Sequence, residues 1–168
     1  ETADRVVQEL KVTKEIIDRA TNLEIIANFG AGYDNIDVNY AITKGILVTN
    51  SPKPVIEPTA ELAFSLLLNV ARRISECDRK LRSSRGIEID VMENLGISLY
   101  GKTLGIVGMG AIGQALARRA SACGMRIIYY NRKRLSQEIE NAYEADWVSL
   151  NELLATSDFI SLHAPATS

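Results

Sequence analysis

The stretch KTLGIVGMGAIGQALARRASACGMRIIYYNRKR, residues 102–134, decides the fold. Its first segment, Thr103–Val107, is short, apolar and partly β-branched, which is typical of a buried parallel strand. Three glycines follow in the spacing G-x-G-x-x-G: Gly108, Gly110 and Gly113. The pattern then predicts a helix from Ile112 to about Ala122, ended by Gly124, and a second apolar strand from Met125 to Tyr130. Together these segments predict a β-α-β unit of a parallel sheet.

Each glycine has a physical role in such a unit. Gly108 lets the chain turn sharply out of the strand, Gly110 leaves the backbone open to a pyrophosphate, and Gly113 lets the helix pack close to the sheet. The free N–H groups and the positive dipole end of the helix would face the phosphates. Because the motif follows a strand, opens a helix and leads to a second strand, it predicts a dinucleotide-binding site rather than a glycine-rich turn without a ligand.

The residues after the second strand predict which dinucleotide is preferred. An NAD site usually has Asp or Glu about 20 residues beyond the glycines, where it accepts hydrogen bonds from the ribose 2′-OH. This chain has a neutral residue and then three cations there: Asn131, Arg132, Lys133 and Arg134. Cations suit a 2′-phosphate, so we expect NADP(H) to be preferred over NAD(H). The alternative interpretation is a solvated basic turn.

Length, charge and cysteine content limit the other classes of protein. The chain has 168 residues, enough for one domain or parts of two, and its net charge of −2 gives no general attraction to nucleic acid or membrane surfaces. The longest apolar run, Leu62–Ala71, is too short to span a bilayer. Cys77 and Cys123 fit no metal-binding or C-x-x-C spacing, which indicates a reducing compartment. We therefore expect a cytoplasmic α/β protein without a metal site.

The part of the chain before the glycine motif predicts a separate β-α-β arrangement over residues 13–50. Leu23–Phe29 is typical of a buried strand, Asp37 can cap a helix through Lys44, and Ile46–Thr49 predicts another strand.

Two glycines, Gly30 and Gly32, follow the first of these strands. Ligands of open parallel sheets bind beyond the carboxyl ends of strands, so the N–H groups of Ala31 and Gly32 are candidates for holding a carboxylate. A purely structural turn explains this stretch equally well from sequence alone.

A long helix is predicted between the two halves of the chain, from about Thr59 to Leu81. Its segment Leu62–Ala71 is apolar nearly all round, which predicts a position buried between layers, domains or subunits. The remainder is rich in charge, which is typical of a solvated face.

Taken together, the motifs resemble the D-isomer-specific 2-hydroxyacid dehydrogenases, particularly the glyoxylate/hydroxypyruvate reductase-like branch. The matching stretches are NFGAGYDNIDVNYAITKGILVTNSP, PTAELAFSLLLNVARRI, YGKTLGIVGMGAIGQALARRA, MRIIYYNRKR and SDFISLHAPATS. The resemblance implies a partial Rossmann-type parallel sheet over residues 56–168, which would bind NAD(P), joined to part of a flavodoxin-like substrate domain over residues 1–55. It also implies interconversion of 2-oxo acids and D-2-hydroxy acids by hydride transfer.

The resemblance implies roles for particular residues. Ala31 and Gly32 would grip the substrate carboxylate. The cofactor positions that it implies are Thr59, Gly108, Gly110, Ala111, Ile112, Gly113, Asn131, Arg132, His163, Ala164 and Pro165. The basic Lys133 noted above is added to this candidate set. Of these, His163 is not the family's catalytic histidine, and a packed side chain at a strand end is its simpler interpretation.

Two departures from the family pattern affect the expected activity. The family commonly has Arg where this chain has Ala111, which should weaken the hold on the pyrophosphate. The family's catalytic Arg, Glu and His are expected beyond Ser168, so the 168-residue chain alone is expected to be a fragment without activity. The family also implies a homodimer formed through the Thr59–Leu81 helix. A dinucleotide-sensing corepressor of the same fold, without dehydrogenase activity, remains the alternative.

Overall fold

The structure, a computed structural model, describes residues 11–83, 86, 90 and 92–164. It divides into two compact units, one ending at Val55 and the other beginning at Ile56. Both units contain parallel strands connected through helices, so the predicted α/β fold class is confirmed.

The first unit is a small β-α-β arrangement. Its elements are α1 Lys14–Arg19, β1 Ile25–Ala27, α2 Val38–Thr43 and β2 Leu47–Thr49. The two strands run parallel with Ala27 opposite Thr49, and each is shorter than the sequence predicted. The predicted cap of α2 is confirmed, because the Asp37 carboxylate accepts the N–H of Tyr40 at 3.0 Å. Thr13 lies at the N-cap position of α1, but its side chain makes no capping hydrogen bond.

The second unit is a parallel four-stranded sheet flanked by helices. Its elements are α3 Ile56–Ala71, α4 Ile74–Arg82, β3 Thr103–Val107, α5 Ala111–Ala122, β4 Arg126–Tyr130, α6 Gln137–Tyr143, β5 Ala145–Trp147, α7 Leu150–Thr156 and β6 Phe159–Leu162. The strand order is β5-β4-β3-β6, with β3 and β4 in the centre. The core of this unit lies around these two strands and the apolar face of α5.

The central β-α-β unit agrees closely with the sequence prediction. β3 has the predicted bounds, and α5 and β4 differ from theirs by one residue each. Gly124 has a positive φ of 74°, the conformation that ends a helix and for which glycine has no steric cost. Val107 at the end of β3 lies in register with Tyr130 of β4 and Leu162 of β6. The carboxyl ends of these three strands therefore meet at one edge of the sheet.

The prediction of one long helix from Thr59 to Leu81 was wrong. The segment forms two helices, α3 and α4, because the chain breaks at Arg73, whose φ is 57°. The carbonyl of Ala71 accepts a hydrogen bond from the N–H of Ile97 at 2.7 Å instead of continuing the helix. On the other side of the break, the Asn69 side-chain oxygen accepts both the N–H and the hydroxyl of Ser75 at 2.8 Å.

The apolar surface of α3 is only partly buried in this chain. Ala63, Phe64, Leu67 and Leu68 pack against the core of the second unit. A second row of apolar side chains on the same helix is more than half exposed: Leu62, Leu66 and Val70. Over the described residues, no helix is both long enough and apolar enough to cross a membrane.

Candidate dinucleotide site and carboxylate loop

The three glycines after β3 meet different surroundings. A Cβ added at Gly108, whose φ is 97°, would lie 2.7 Å from the carbonyl carbon of His163. At Gly113 it would lie 2.6 Å from the carbonyl oxygen of Gly108. At Gly110 it would meet nothing within 4 Å. Close packing against protein atoms therefore explains why Gly108 and Gly113 are glycines. It does not explain Gly110, which has open space around it.

The amino end of α5 presents unpaired backbone donors next to this open space. Gly110 is the N-cap residue, and its carbonyl accepts the N–H of Gln114 at 2.9 Å. The N–H groups of Ala111, Ile112 and Gly113 have no acceptor among the described residues. Unpaired amides at the positive end of a helix dipole are a binding site for anions such as phosphate. The predicted positions of the glycine motif thus form a candidate phosphate cradle.

Asn131 connects this cradle to the end of β4. Its side-chain oxygen accepts the backbone N–H of Met109 at 2.7 Å, while its carbonyl accepts the indole N–H of Trp147 at 3.3 Å. The side-chain NH2 group of Asn131 has no acceptor in the described part of the chain. Asn131 therefore fixes the glycine loop with its oxygen and still presents a donor.

The three cations after Asn131 do not share one role, so the expectation of a three-cation cluster needs correction. Arg134 is occupied by a bidentate ion pair with Glu140, at 2.8 and 2.7 Å. Arg132 and Lys133 are exposed and have no ion pair or hydrogen bond with any described residue. Every other Lys or Arg between residues 102 and 164 has a carboxylate partner. Two adjacent unpaired cations thus follow the carboxyl end of β4.

Glu140 and Tyr129 form a buried polar pair that sequence reasoning missed. Glu140 is only 5% exposed and accepts the Tyr129 hydroxyl at 2.7 Å as well as the Arg134 guanidinium. The hydrogen bonds from Arg134 and then from Tyr129 lower the pKa of Glu140 to about 2. Burial, followed by the bond to Glu140, raises the pKa of Tyr129 to about 12. The charged segment Glu138–Glu140 has the sequence of a solvated helix face, and no pattern distinguished its last residue.

Thr59 and His163, two further predicted cofactor positions, line one groove of the second unit. This cavity of about 440 Å³ has mostly apolar walls from α3 and β6. Nε2 of His163 lies 2.8 Å from the Ser161 hydroxyl, and burial lowers the pKa of the imidazole. Ala164 is exposed, and Pro165 lies outside the described residues.

The loop after β1 in the first unit has three carbonyls that accept hydrogen bonds from nearby residues. The Asn28 amide donates to the carbonyl of Gly32 at 2.7 Å, and the Asn50 amide donates to that of Ala31 at 2.8 Å. The N–H of Ser51 donates to the carbonyl of Gly30 at 2.9 Å.

The N–H groups of this loop remain available to a ligand. Those of Ala31 and Gly32 have no acceptor among the described residues, and both residues line a concavity of about 330 Å³. The Asp34 side chain lines the same concavity and opposes anion binding there. Asn28 and Asn50, which sequence reasoning missed, each follow directly after a strand, and that position was the available signal.

Comparison with known proteins decides the family. The family model described as the D-isomer specific 2-hydroxyacid dehydrogenase, NAD binding domain, matches residues 64–168, well over half of the chain. The chain belongs to the D-isomer specific 2-hydroxyacid dehydrogenase family. The predicted family is therefore confirmed, and with it a nicotinamide dinucleotide as the cofactor class of this domain.

Individual relatives of the family agree with this assignment. The chain is 52% identical over 161 residues to the glyoxylate reductase of Thermococcus litoralis, covering 94% of this chain and 48% of that protein. Among solved structures, the TT0316 protein of Thermus thermophilus matches with a TM-score of 0.86 at 41% identity, covering 95% of this chain and 49% of that one. The D-lactate dehydrogenase of Aquifex aeolicus, complexed with NAD and lactic acid, matches with a TM-score of 0.80 at 32% identity, covering 94% of this chain and 46% of that one.

These matches confirm the Rossmann-type fold and also show how much of each relative's length the chain covers. The chain spans about half the length of the curated relatives it matches. Within the part that the structure describes, no group of His, Cys, Asp and Glu side chains is arranged to hold a metal ion.

Because of the open space at Gly110, we expect a substitution there to lower the affinity for the dinucleotide without lowering the stability of the fold. In Gly110→Ala the new methyl group meets no protein atom, and its backbone, with φ of −82°, suits alanine. We expect the free energy of unfolding to stay unchanged or to rise by up to about 1 kcal/mol. The affinity for NADPH should fall at least tenfold, because the methyl group occupies the approach to the free amides. Urea unfolding and fluorescence titration measure the two effects.

Gly105→Ala is the matched comparison for this experiment. Its Cβ would lie 2.2 Å from the Ser157 hydroxyl oxygen and 2.7 Å from Cδ2 of Leu153. Overpacking of this kind should lower the free energy of unfolding by about 1–3 kcal/mol. Unchanged NADPH binding by a well-folded Gly110→Ala variant would contradict the assignment of the cradle.

Proposed function

We propose that the complete protein interconverts 2-oxo acids and D-2-hydroxy acids of the glyoxylate or hydroxypyruvate type by hydride transfer with NADP(H). The observation that carries this proposal is the open space at Gly110 beside the three unpaired amides of α5, in a chain 52% identical to a glyoxylate reductase. Within this scheme, residues 56–168 form the NAD(P)-binding part and residues 1–55 belong to the substrate-binding part. The dinucleotide, when bound, supplies the hydride.

The loop at Ala31 and Gly32 is the proposed carboxylate site. Its three carbonyls are held by Asn28, Asn50 and the Ser51 amide, so they cannot turn toward a substrate anion. The N–H groups left over are the donors that a carboxylate requires. We propose that they bind the carboxylate common to all 2-oxo and 2-hydroxy acids. A site of this kind selects the acid group and leaves the choice of side chain to other residues.

The preference for NADP(H) is proposed from the residues that follow β4. The Aquifex aeolicus D-lactate dehydrogenase was crystallised with NAD, so family membership by itself does not select NADPH. The support is local, since Asn131 presents an NH2 donor while Arg132 and Lys133 are unpaired cations. A 2′-phosphate can accept hydrogen bonds from all three side chains, whereas a neutral 2′-hydroxyl is not attracted by the two positive charges.

Titration with the two dinucleotides tests this preference. We expect NADPH to bind at least tenfold more tightly than NADH, and Arg132→Ala to remove most of that difference. A charge-assisted hydrogen bond contributes about 1.5–3 kcal/mol, which corresponds to a loss of tenfold or more. Arg126→Ala is the matched control, because it removes another exposed cation, one that lies at the opposite end of β4 and pairs with Asp146. Equal affinity of the unchanged protein for both dinucleotides would reject the preference.

Enzyme assays test the reaction itself. We expect the complete protein to oxidise NADPH when glyoxylate or hydroxypyruvate is added. We propose that the 168-residue chain alone is inactive, because the family resemblance implies that the acid–base His and Glu and the carbonyl-polarising Arg are not among its residues. Binding of the dinucleotide by the complete protein without any turnover would favour the corepressor-type alternative.

The same assay examines the carboxylate loop. Asn50→Ala in the complete protein should raise KM for the 2-oxo acid by about tenfold, the loss expected when one hydrogen bond no longer holds a preorganised loop. The affinity for NADPH should not change. An unaltered KM would show that the loop does not bind the carboxylate.

Dimerisation is also proposed, through the segment that the sequence assigned to a single helix and that forms α3 and α4. Leu62, Leu66 and Val70 leave an exposed apolar row on α3, and Leu81 is exposed on α4. Contiguous exposed apolar side chains of this kind are typical of interfaces. Sedimentation velocity should show a dimer that Val70→Lys weakens; a monomer at all concentrations would contradict this interface.

The cytoplasmic location stays a prediction, consistent with Cys77 and Cys123 both being free thiols.

A further inference from the structure

Glu140 is the buried charged side chain of the described residues, and its contacts point to the turn that carries the free cations. Its two oxygens accept hydrogen bonds from Nε and Nη2 of Arg134, and one of them also accepts the hydroxyl of Tyr129. The same hydroxyl accepts the backbone N–H of Leu135 at 3.0 Å. The end of β4, the start of α6 and the chain between them are therefore tied to one carboxylate.

The turn between β4 and α6 is fixed at two points. At its beginning, Asn131 is held by the N–H of Met109 and by the indole of Trp147. At its end, Arg134 is held by Glu140, and its guanidinium lies 5.9 Å from the centre of the Trp147 ring. Arg132 and Lys133 lie between these two points. Their side chains form no ion pair or hydrogen bond with any described residue, so we infer that the position of their backbone depends on the flanking contacts.

Glu140 is buried but the Arg134 side chain is 56% exposed, so water weakens their attraction while Glu140 still bears the cost of burial, and the pair is weak evidence for added stability. We infer that the Tyr129–Glu140–Arg134 network holds residues 131–135 in one conformation. It also pairs Arg134 with Glu140, so that this cation is not free to bind a phosphate. A site that binds a phosphate through long, flexible Arg and Lys side chains requires a backbone in a fixed position.

We propose that Tyr129, Glu140 and Arg134 are positioning residues for cofactor selection, which hold the turn so that Arg132 and Lys133 reach a 2′-phosphate. This inference rests on the proposed preference for NADP(H) and deepens it. The network acts on the discrimination between the two dinucleotides. It leaves the contacts that NADPH and NADH share at the Gly110 cradle unaltered.

Glu140→Gln and Tyr129→Phe test the proposal in the full chain, with Glu138→Gln as the matched control. Glu138 lies on the same helix and is exposed, and its side chain forms no ion pair or hydrogen bond within the described residues. The measured quantity is the ratio of the Kd for NADH to the Kd for NADPH. We expect this ratio to fall at least fivefold in both variants of the network while the Kd for NADH stays within twofold. In Glu138→Gln the ratio should not change.

Three outcomes would overturn the proposal. A ratio that stays unchanged in Tyr129→Phe and Glu140→Gln would show that the network does not affect selection. Equal loss of affinity for both dinucleotides would show a merely structural role. Tighter NADPH binding in Glu140→Gln would show that Glu140 only withholds Arg134 from the phosphate. If one variant fails to fold, the other decides the question.

Arg132→Ala separates this proposal from the one on which it rests. If that variant leaves the ratio unchanged, the assignment of a 2′-phosphate site fails, and the positioning role fails with it. If Arg132→Ala lowers the ratio while both network variants keep it, only the positioning role is rejected.

Discussion

The cofactor half of the structure depends on the contact between the turn after β3 and the end of β6. At Gly108 the chain passes so close to the His163–Ala164 peptide that a Cβ atom has no room. On the other side, the N–H of Gly108 donates to the carbonyl of Tyr130 at 3.0 Å, and Asn131 holds the next residue. Because both neighbouring strands fix the turn, the first amides of α5 emerge in one place without a ligand to arrange them. Such preorganisation lowers the cost of binding an anion.

The glycines of the motif show how a requirement of folding differs from a requirement of function. Gly108 and Gly113 are needed because protein atoms occupy the space of a side chain, so any protein with this turn would need them. Gly110 has a φ of −82° and empty space around it, so neither strain nor packing calls for glycine there. Only an external group that approaches the backbone would make a side chain unfavourable at that position. The empty space thus carries more information about function than the two crowded positions do.

The sequence predicted those features that depend on neighbours along the chain. Strand β3, helix α5 and the cap at Asp37 follow from local apolar patterns and turn chemistry. It failed where a distant segment decided the conformation, as at Arg73, where Ile97 takes the carbonyl that a longer helix would have used. It also failed at Arg134, because its partner Glu140, six residues away on the next helix, has the local sequence of a surface residue. The β-α-β unit that carries the candidate cofactor site was therefore predictable, but the use of each charged group was not.

The distribution of paired and unpaired charges adds a physical argument about that site. Ion pairs such as Arg126 with Asp146 lie on the surface and contribute little to stability, so pairing is not what keeps the sheet folded. Arg132 and Lys133 are adjacent cations without a partner among the described residues, so they repel each other, although water and salt weaken this repulsion at an exposed site. At Arg132 and Lys133 this unfavourable arrangement lies beside an amide donor on a turn held by a buried carboxylate. If the proposed preference for NADP(H) holds, the 2′-phosphate would replace this repulsion with favourable attraction.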